Sequence, residues 1–216
     1  MVEVTPPLSD IKPLPPTDRS LEGYTRVSEV LDYFVEPRLV DWMARKGDQA
    51  KRLSKQAKKV GTEVDLAIKK FVDNGVYGKV KTVEAKSCIE GFKRWYEDYK
   101  PALTVGKRLF NEEYKLTGEP DLYWGDRIID IKCASAIRLK YHLQTGIYAF
   151  LDDKPLTAIL RLHKHLSDYE YVERTNDEVK ADYFCFLDML QVYRYFQKPL
   201  RAAGEQHADS PSTRAF

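Results

Sequence analysis

Gly125 and Asp126 stand between two runs rich in Leu, Ile, Tyr and Trp, and this placement constrains the chain more than any other local feature. Residues 116–132, LTGEPDLYWGDRIIDIK, read as a β-hairpin closed by a two-residue Gly-X loop of the type II′ kind. That loop fixes the register, setting Asp121 opposite Asp130 and Glu119 opposite Lys132. Side chains alternate along a strand, so these four share one face, and Pro120, Leu122, Ile129 and Ile131 take the other. The second face is expected to be core.

Like charges placed directly opposite each other destabilise a sheet unless something positive lies between them. A divalent cation answers that need, since carboxylate oxygens suit magnesium, manganese and calcium. Lys132, two residues past Asp130, points the same way and brings a donor and a positive charge. The plainer reading is a solvated face on which Lys132 and Arg127 neutralise the two aspartates.

The 216 residues suffice for one α/β domain with a sizeable core, and 43% hydrophobic and 12% aromatic content describe a globular chain. A net charge of +2 argues neither for nor against a nucleic-acid partner, but seven basic residues between Arg45 and Lys59 face the single acid Asp48. Cys88, Cys133 and Cys185 are scattered and odd in number, which speaks against a disulfide framework and a four-cysteine metal site. With no long apolar run and no basic-then-apolar leader, a cytoplasmic location is expected.

Residues 1–22 hold five of the 11 prolines and read as a flexible arm; residues 203–216 read as a flexible polar tail. Residues 23–202 are expected to form the single domain. Thr25 or Ser28 is expected to cap a helix through Val35, with a restart at Pro37. A long helix is expected over about 48–73, with Val60, Val64, Ala67, Ile68 and Phe71 on one face. The next, carrying Ala85, Cys88, Ile89, Phe92, Trp95, Tyr96 and Tyr99, stops before Pro101, and its aromatic stripe reads as core. Strand candidates over 104–114 lead into the hairpin as a meander. A helix over 135–151, strands over 157–164 and 169–175, and a helix over 177–196 begun by Asn176-Asp177 follow. This order predicts a central mixed β-sheet flanked by helices.

Pro120-Asp121, eight intervening residues and Asp130-Ile131-Lys132 resemble the PD-(D/E)XK nuclease superfamily. Gln144 and Tyr148 in the run QTGIY resemble the additional motif of its RecB-type and phage exonuclease branch. Gly61-Thr62-Glu63-Val64-Asp65 resembles the first motif of that branch, with Asp65 where His is common, and YTRVSEVL is similar to the start of many phage-encoded nucleases of this kind. The resemblance implies a restriction-endonuclease-like core and a DNA nuclease, exonuclease more than endonuclease, in recombination, repair or phage genome processing. It implies Asp121 and Asp130 as metal ligands, with the Ile131 carbonyl and Asp65 as further ligands for Mg2+ or Mn2+. Lys132 would position or activate the attacking water, Gln144 would contact DNA, and Tyr148 would pack beside it. Glu113 is a lower-ranked ligand.

Lys51, Arg52, Lys55, Lys58 and Lys59 suit the phosphate backbone of DNA, either double-stranded ends or single strands. No aromatic cluster accompanies them, so single-strand preference is not indicated. Rings of some phage exonucleases of this fold leave a homo-oligomer open, as does a recombination-protein partner. Four-cysteine iron-sulfur nucleases are disfavoured, and no Ser or Cys sits in a nucleophile setting. His142 lies on a different helix face from Gln144 and Tyr148, and His163 and His165 read as structural or surface residues. The alternative to an enzyme is an inactive nuclease-like module that binds DNA or a recombination partner.

Overall fold

Helical periodicity in the first half of the chain becomes four helices in the computed structural model, which describes residues 23–197. The arm expected over 1–22 and the tail expected over 203–216 lie outside these residues. Thr25–Arg26 (β1) precede α1 (Val27–Tyr33), so neither Thr25 nor Ser28 is the cap; the Arg26 N–H instead donates to Glu29 Oε2 at 2.8 Å. Pro37 opens α2 (Pro37–Lys46), where its missing N–H costs nothing. The long helix α3 (Asp48–Asn74) buries Val60, Val64, Ala67 and Ile68 and ends where Gly75, at φ 73°, returns its N–H to the Phe71 carbonyl at 2.7 Å. Thr82 caps α4 (Val83–Tyr99) by accepting the Ala85 N–H, and Ala85, Cys88, Ile89, Phe92 and Trp95 are buried.

The expected meander is instead divided between two sheets. Leu103–Val105 (β2), Leu122–Trp124 (β5), Arg127–Lys132 (β6), Leu156–Leu162 (β7) and Tyr169–Arg174 (β8) form a mixed sheet in the order β2-β5-β6-β7-β8. Only β6 and β7 run parallel in it. Leu109–Asn111 (β3) and Leu116–Gly118 (β4) join β1 in a three-stranded sheet of order β1-β4-β3. The first arm of the hairpin therefore breaks between Gly118 and Leu122. Pro120, which has no N–H to give a ladder, marks the break. Gly106 takes up the slack by donating its N–H to the Asp121 carbonyl at 2.9 Å.

Helix α5 (Leu139–Leu151) crosses between the parallel strands β6 and β7, as their direction requires. It starts later than the sequence suggests, because Arg161 draws the Ser135 carbonyl to Nη1 at 3.2 Å in the loop ahead of it. The closing helix α6 (Asn176–Gln197) is capped by Thr175: its N–H donates to Glu178 Oε2 at 2.9 Å and its Oγ1 accepts the Glu178 N–H at 3.4 Å.

The five-stranded sheet separates two cores. One packs Leu122, Ile129, Ala158, Leu160 and Leu162 against α3 and α4, with Phe92 and Trp95 at its centre. The other packs Tyr123 and Ile128 against α1, α5 and α6 through Val30, Ile147, Phe186 and Leu190. A fully buried side chain of this size contributes about 1.5–3 kcal/mol, so both layers hold β6 firmly. Both faces of β6 are thus core, and the solvated face of the plainer reading does not exist.

Candidate functional site

Strand β6 sits between β5 and β7, and alternation sends Ile129 and Ile131 toward α3 and α4 while Ile128, Asp130 and Lys132 face α5. Asp130 is 2% exposed, with Oδ2 2.6 Å from Lys132 Nζ. The same ammonium donates to Gln144 Oε1 at 3.0 Å, and Gln144 Nε2 donates to the Tyr148 hydroxyl at 2.9 Å. Tyr141, one turn before Gln144 on α5, presents its ring 5.0 Å from Lys132 Nζ. Spacings of three and four residues put Tyr141, Gln144 and Tyr148 on one helix face over the strand end. Arg127, by contrast, pairs with Glu173 and takes no part.

Hairpin pairing follows the predicted register from Trp124 opposite Arg127 to Leu122 opposite Ile129. Gly125 has φ 58° and Asp126 no positive φ, the pattern of a type II′ turn. Beyond Leu122 the ladder ends, and Asp121 replaces a main-chain partner with its side chain: Oδ2 accepts the Ile131 N–H at 2.7 Å. Glu119 is not opposite Lys132. It meets Arg108 Nη2 at 2.5 Å and Lys69 Nζ at 3.7 Å, because the break at Pro120 turns it toward α3. Lys69 also lies 3.1 Å from Asp65 Oδ1, the ordinary i, i+4 pair on α3.

Burial, followed by the neighbouring Asp130, pushes the Asp121 carboxyl up to about 7, with Asp65 adding to the rise and Lys132 and the Ile131 N–H opposing it. Burial also raises Asp130, against the pull of Lys132, and Asp65 raises it further. For Lys132, burial favours losing the proton, but Asp130 and Asp121 outweigh it and hold the ammonium above its ordinary value. Asp65, Asp121 and Asp130 therefore share one electrostatic field. The three carboxylates offer oxygen donors of the kind that suits magnesium or manganese, and a divalent cation would offset the burial, and after it the repulsion between acids, that raises Asp121 and Asp130. Among the described residues no group of three acidic, His or Cys side chains is already gathered around one metal position. Lys132 and Lys69 stand where Asp130 and Asp65 find their charge partners. The chemistry of the donors suits such an ion, while Lys132 and Lys69 are the countercharges that Asp130 and Asp65 have here.

Other candidates lie apart. Lys51, Arg52, Lys55, Lys58 and Lys59 are exposed along the first half of α3, and Glu113 is exposed between β3 and β4. Beside the site, a cavity of about 670 Å³ opens between α2, α3 and the loop before α5. Trp42, Arg45, Arg138, Tyr141 and Lys164 are among its lining residues, and none of the five basic residues of α3 is. Nothing in the sequence links Trp42, Arg138 and Lys164, which come from three separate segments. No helix among the described residues is long and apolar enough to cross a membrane.

No family model matches the chain, and no curated protein matches it. Among solved structures the chain is similar to an alkaline exonuclease from Laribacter hongkongensis, at 12% identity and TM-score 0.42 over 81% of this chain and 91% of that one. It is similar to the same exonuclease in complex with dAMP, at 14% identity and TM-score 0.41 over 82% and 92%. A phage-related exonuclease from Haemophilus somnus 129PT matches at 19% identity and TM-score 0.37 over 80% and 96%. Similarity at this level carries no chemistry across, and the roles of residues in this chain rest on their own geometry.

Proposed function

We propose that the chain is a divalent-metal-dependent DNA nuclease of the PD-(D/E)XK superfamily, RecB-type or phage exonuclease branch, acting as an exonuclease. One observation carries this reading: Asp130, Lys132, Gln144 and Tyr148 form a continuous chain of polar contacts at the end of β6, with Asp121 in the same field. Burying such a set brings no stability by itself, since two aspartates lose hydration and repel each other. A bound Mg2+ or Mn2+ ion would supply an acidified water and clamp phosphate oxygens, with Asp65, Asp121, Asp130 and the Ile131 carbonyl as its holders.

The chain's own residues divide the remaining work. Lys132 stays protonated beside Asp130 and Asp121, so it acts as a fixed positive charge for a phosphate and not as a base. Gln144 holds that ammonium in place and is itself held by Tyr148, whose hydroxyl burial keeps protonated. Ile131 fixes Asp121 through its N–H.

A second reading is a nuclease-like module that binds DNA without cutting it, and the 2.6 Å contact of Lys132 with Asp130 favours it, because the aspartate already has a countercharge. End-labelled linear DNA and closed circular DNA, incubated with Mg2+, Mn2+ or chelator, decide between the two. Metal-dependent shortening of linear DNA that is lost in Asp130→Asn supports the exonuclease; nicked circles would mean an endonuclease. Binding without cleavage under every metal condition supports the inactive module.

A further inference from the structure

We infer that Cys88 and Cys133 are a thiol pair that peroxide closes to a disulfide, and that the bond, by drawing the chain just past β6 toward α4, pulls Lys132 out of its site. The effect on cleavage rests on the nuclease reading; the bond and the displacement do not.

Alternation carried one residue past β6 sends Cys133 the same way as Ile129 and Ile131, toward α3 and α4 and away from the face of Asp130 and Lys132. Cys88, on α4, is fully buried in that same core. Lys132 and Arg161 are the last paired residues of β6 and β7, so the next step along the two strands sets Cys133 beside Leu162. The Leu162 carbonyl in turn lies 3.7 Å from the Cys88 sulfur. The two side chains meet there, each the other's hydrogen-bond partner, and both are free thiols. Cys185, exposed on α6 in the opposite layer, stands apart.

Access is one-sided. Cys133 is half-buried and lines the cavity of about 670 Å³, whereas Cys88 has no exposed surface. A small oxidant therefore enters at Cys133 and finds a resolving thiol behind it, the arrangement of redox-sensing cysteines. Peroxide takes two electrons from the pair: its O–O bond breaks, one S–S bond forms, and the two thiol protons leave with the two oxygens and two further protons of the peroxide as two waters. A dithiol reverses the step by exchange, becoming a disulfide itself.

A covalent sulfur–sulfur bond is shorter than the contact of two thiols, so closing it moves one end. Helix α4 is anchored by Phe92 and Trp95 at the centre of its core, whereas Cys133 begins the loop that leaves the sheet. Cys133 is the end that moves. Lys132 is its neighbour in the chain, and the contacts of Nζ with Asp130 at 2.6 Å and Gln144 at 3.0 Å depend on where β6 ends.

The test treats the full chain, carrying Cys185→Ser, with hydrogen peroxide or dithiothreitol and removes the reagent before assay. Peptide mass spectrometry is expected to find a Cys88–Cys133 cross-link after peroxide, two hydrogens lighter than the reduced pair. The Gln144 side-chain amide resonance, which reads the Lys132 contact directly, should shift on oxidation. Metal-dependent cleavage of end-labelled linear DNA should fall about a hundredfold, the cost of misplacing a group by about 1 Å, and return with dithiothreitol. Cys133→Ser should cleave as the reduced chain does and ignore peroxide; it keeps the test open where Cys88→Ala fails to fold. Two free thiols after peroxide, or an oxidised Cys133 without the cross-link, overturns the pair. A cross-linked chain whose Gln144 resonance and cleavage match the reduced chain overturns the displacement. Cleavage in the reduced chain with no cross-link leaves the nuclease standing and removes the pair, and a cross-link that moves the Gln144 resonance in a chain that never cleaves supports the pair and removes the nuclease.

Discussion

The ring of Tyr148 lies so close over Gly118 that a β-carbon at residue 118 would stand 2.2 Å from Tyr148 Cε1. Gly118 ends β4, just before the chain leaves the second sheet for the hairpin, and Tyr148 holds Gln144, which holds Lys132. A backbone position without chemistry thus sets a ring three contacts from Asp130. Gly118→Ala is expected to overpack this point and cost about 1–3 kcal/mol of stability in urea unfolding. Turnover should fall more than DNA affinity, because the displaced ring withdraws support from Gln144. An unchanged unfolding midpoint would show that the ring moves aside freely.

Removing Lys132 separates its electrostatic work from its chemical work. In Lys132→Met the Asp130 carboxylate, 2% exposed, loses its 2.6 Å partner. Breaking a buried pair costs about 3–5 kcal/mol, less whatever the acid recovers by taking up a proton. The variant should be clearly destabilised at pH 8 and less so at pH 5, and Asp130→Asn with Lys132→Met should recover much of the loss. For function, Lys132→Ala should lose turnover with modest change in DNA affinity. Loss of affinity at unchanged turnover would contradict the assigned role.

How much of this was legible depended on how local the determining contact is. The pairing of Leu122 with Ile129 follows from Gly125-Asp126, a turn that specifies its own register. The buried stripes of α3 and α4 follow from spacing alone. Gln144 and Tyr148 share a face because they are four residues apart, and the structure brings that face to Lys132. Glu119 does not pair with Lys132 because β4 belongs to β1 and β3, contacts made far along the chain, and the hairpin ladder breaks at Pro120. The cavity was invisible for the same reason: Trp42, Arg138 and Lys164 meet only in three dimensions.

His142 provides a pH dependence outside the candidate site. It is buried on α5, and burial, then Arg174, hold its imidazole below the ordinary 6.5, with Glu178 opposing. A folded-state value below the unfolded one means that protons favour the unfolded chain. The contribution is complete above about pH 6.5 and is lost as pH falls below it. Urea midpoints of the wild type should drop between pH 7.5 and 5.5 more than those of His142→Gln. Parallel midpoints for the two proteins would remove His142 as the cause.

The basic residues of α3 offer a separate test of the route DNA takes. Leu53, Ala57 and Val60 of this helix line the cavity, and helical spacing puts Lys51, Arg52, Lys55, Lys58 and Lys59 on the far side. These five are exposed and have no ion pair among the described residues, so phosphate is a ready partner. Each phosphate contact on duplex DNA contributes about 0.9 to the slope of log affinity against log salt. Replacing Lys51, Arg52 and Lys55 with Gln should flatten that slope for duplex. An unchanged duplex slope removes this face of α3 from the DNA path.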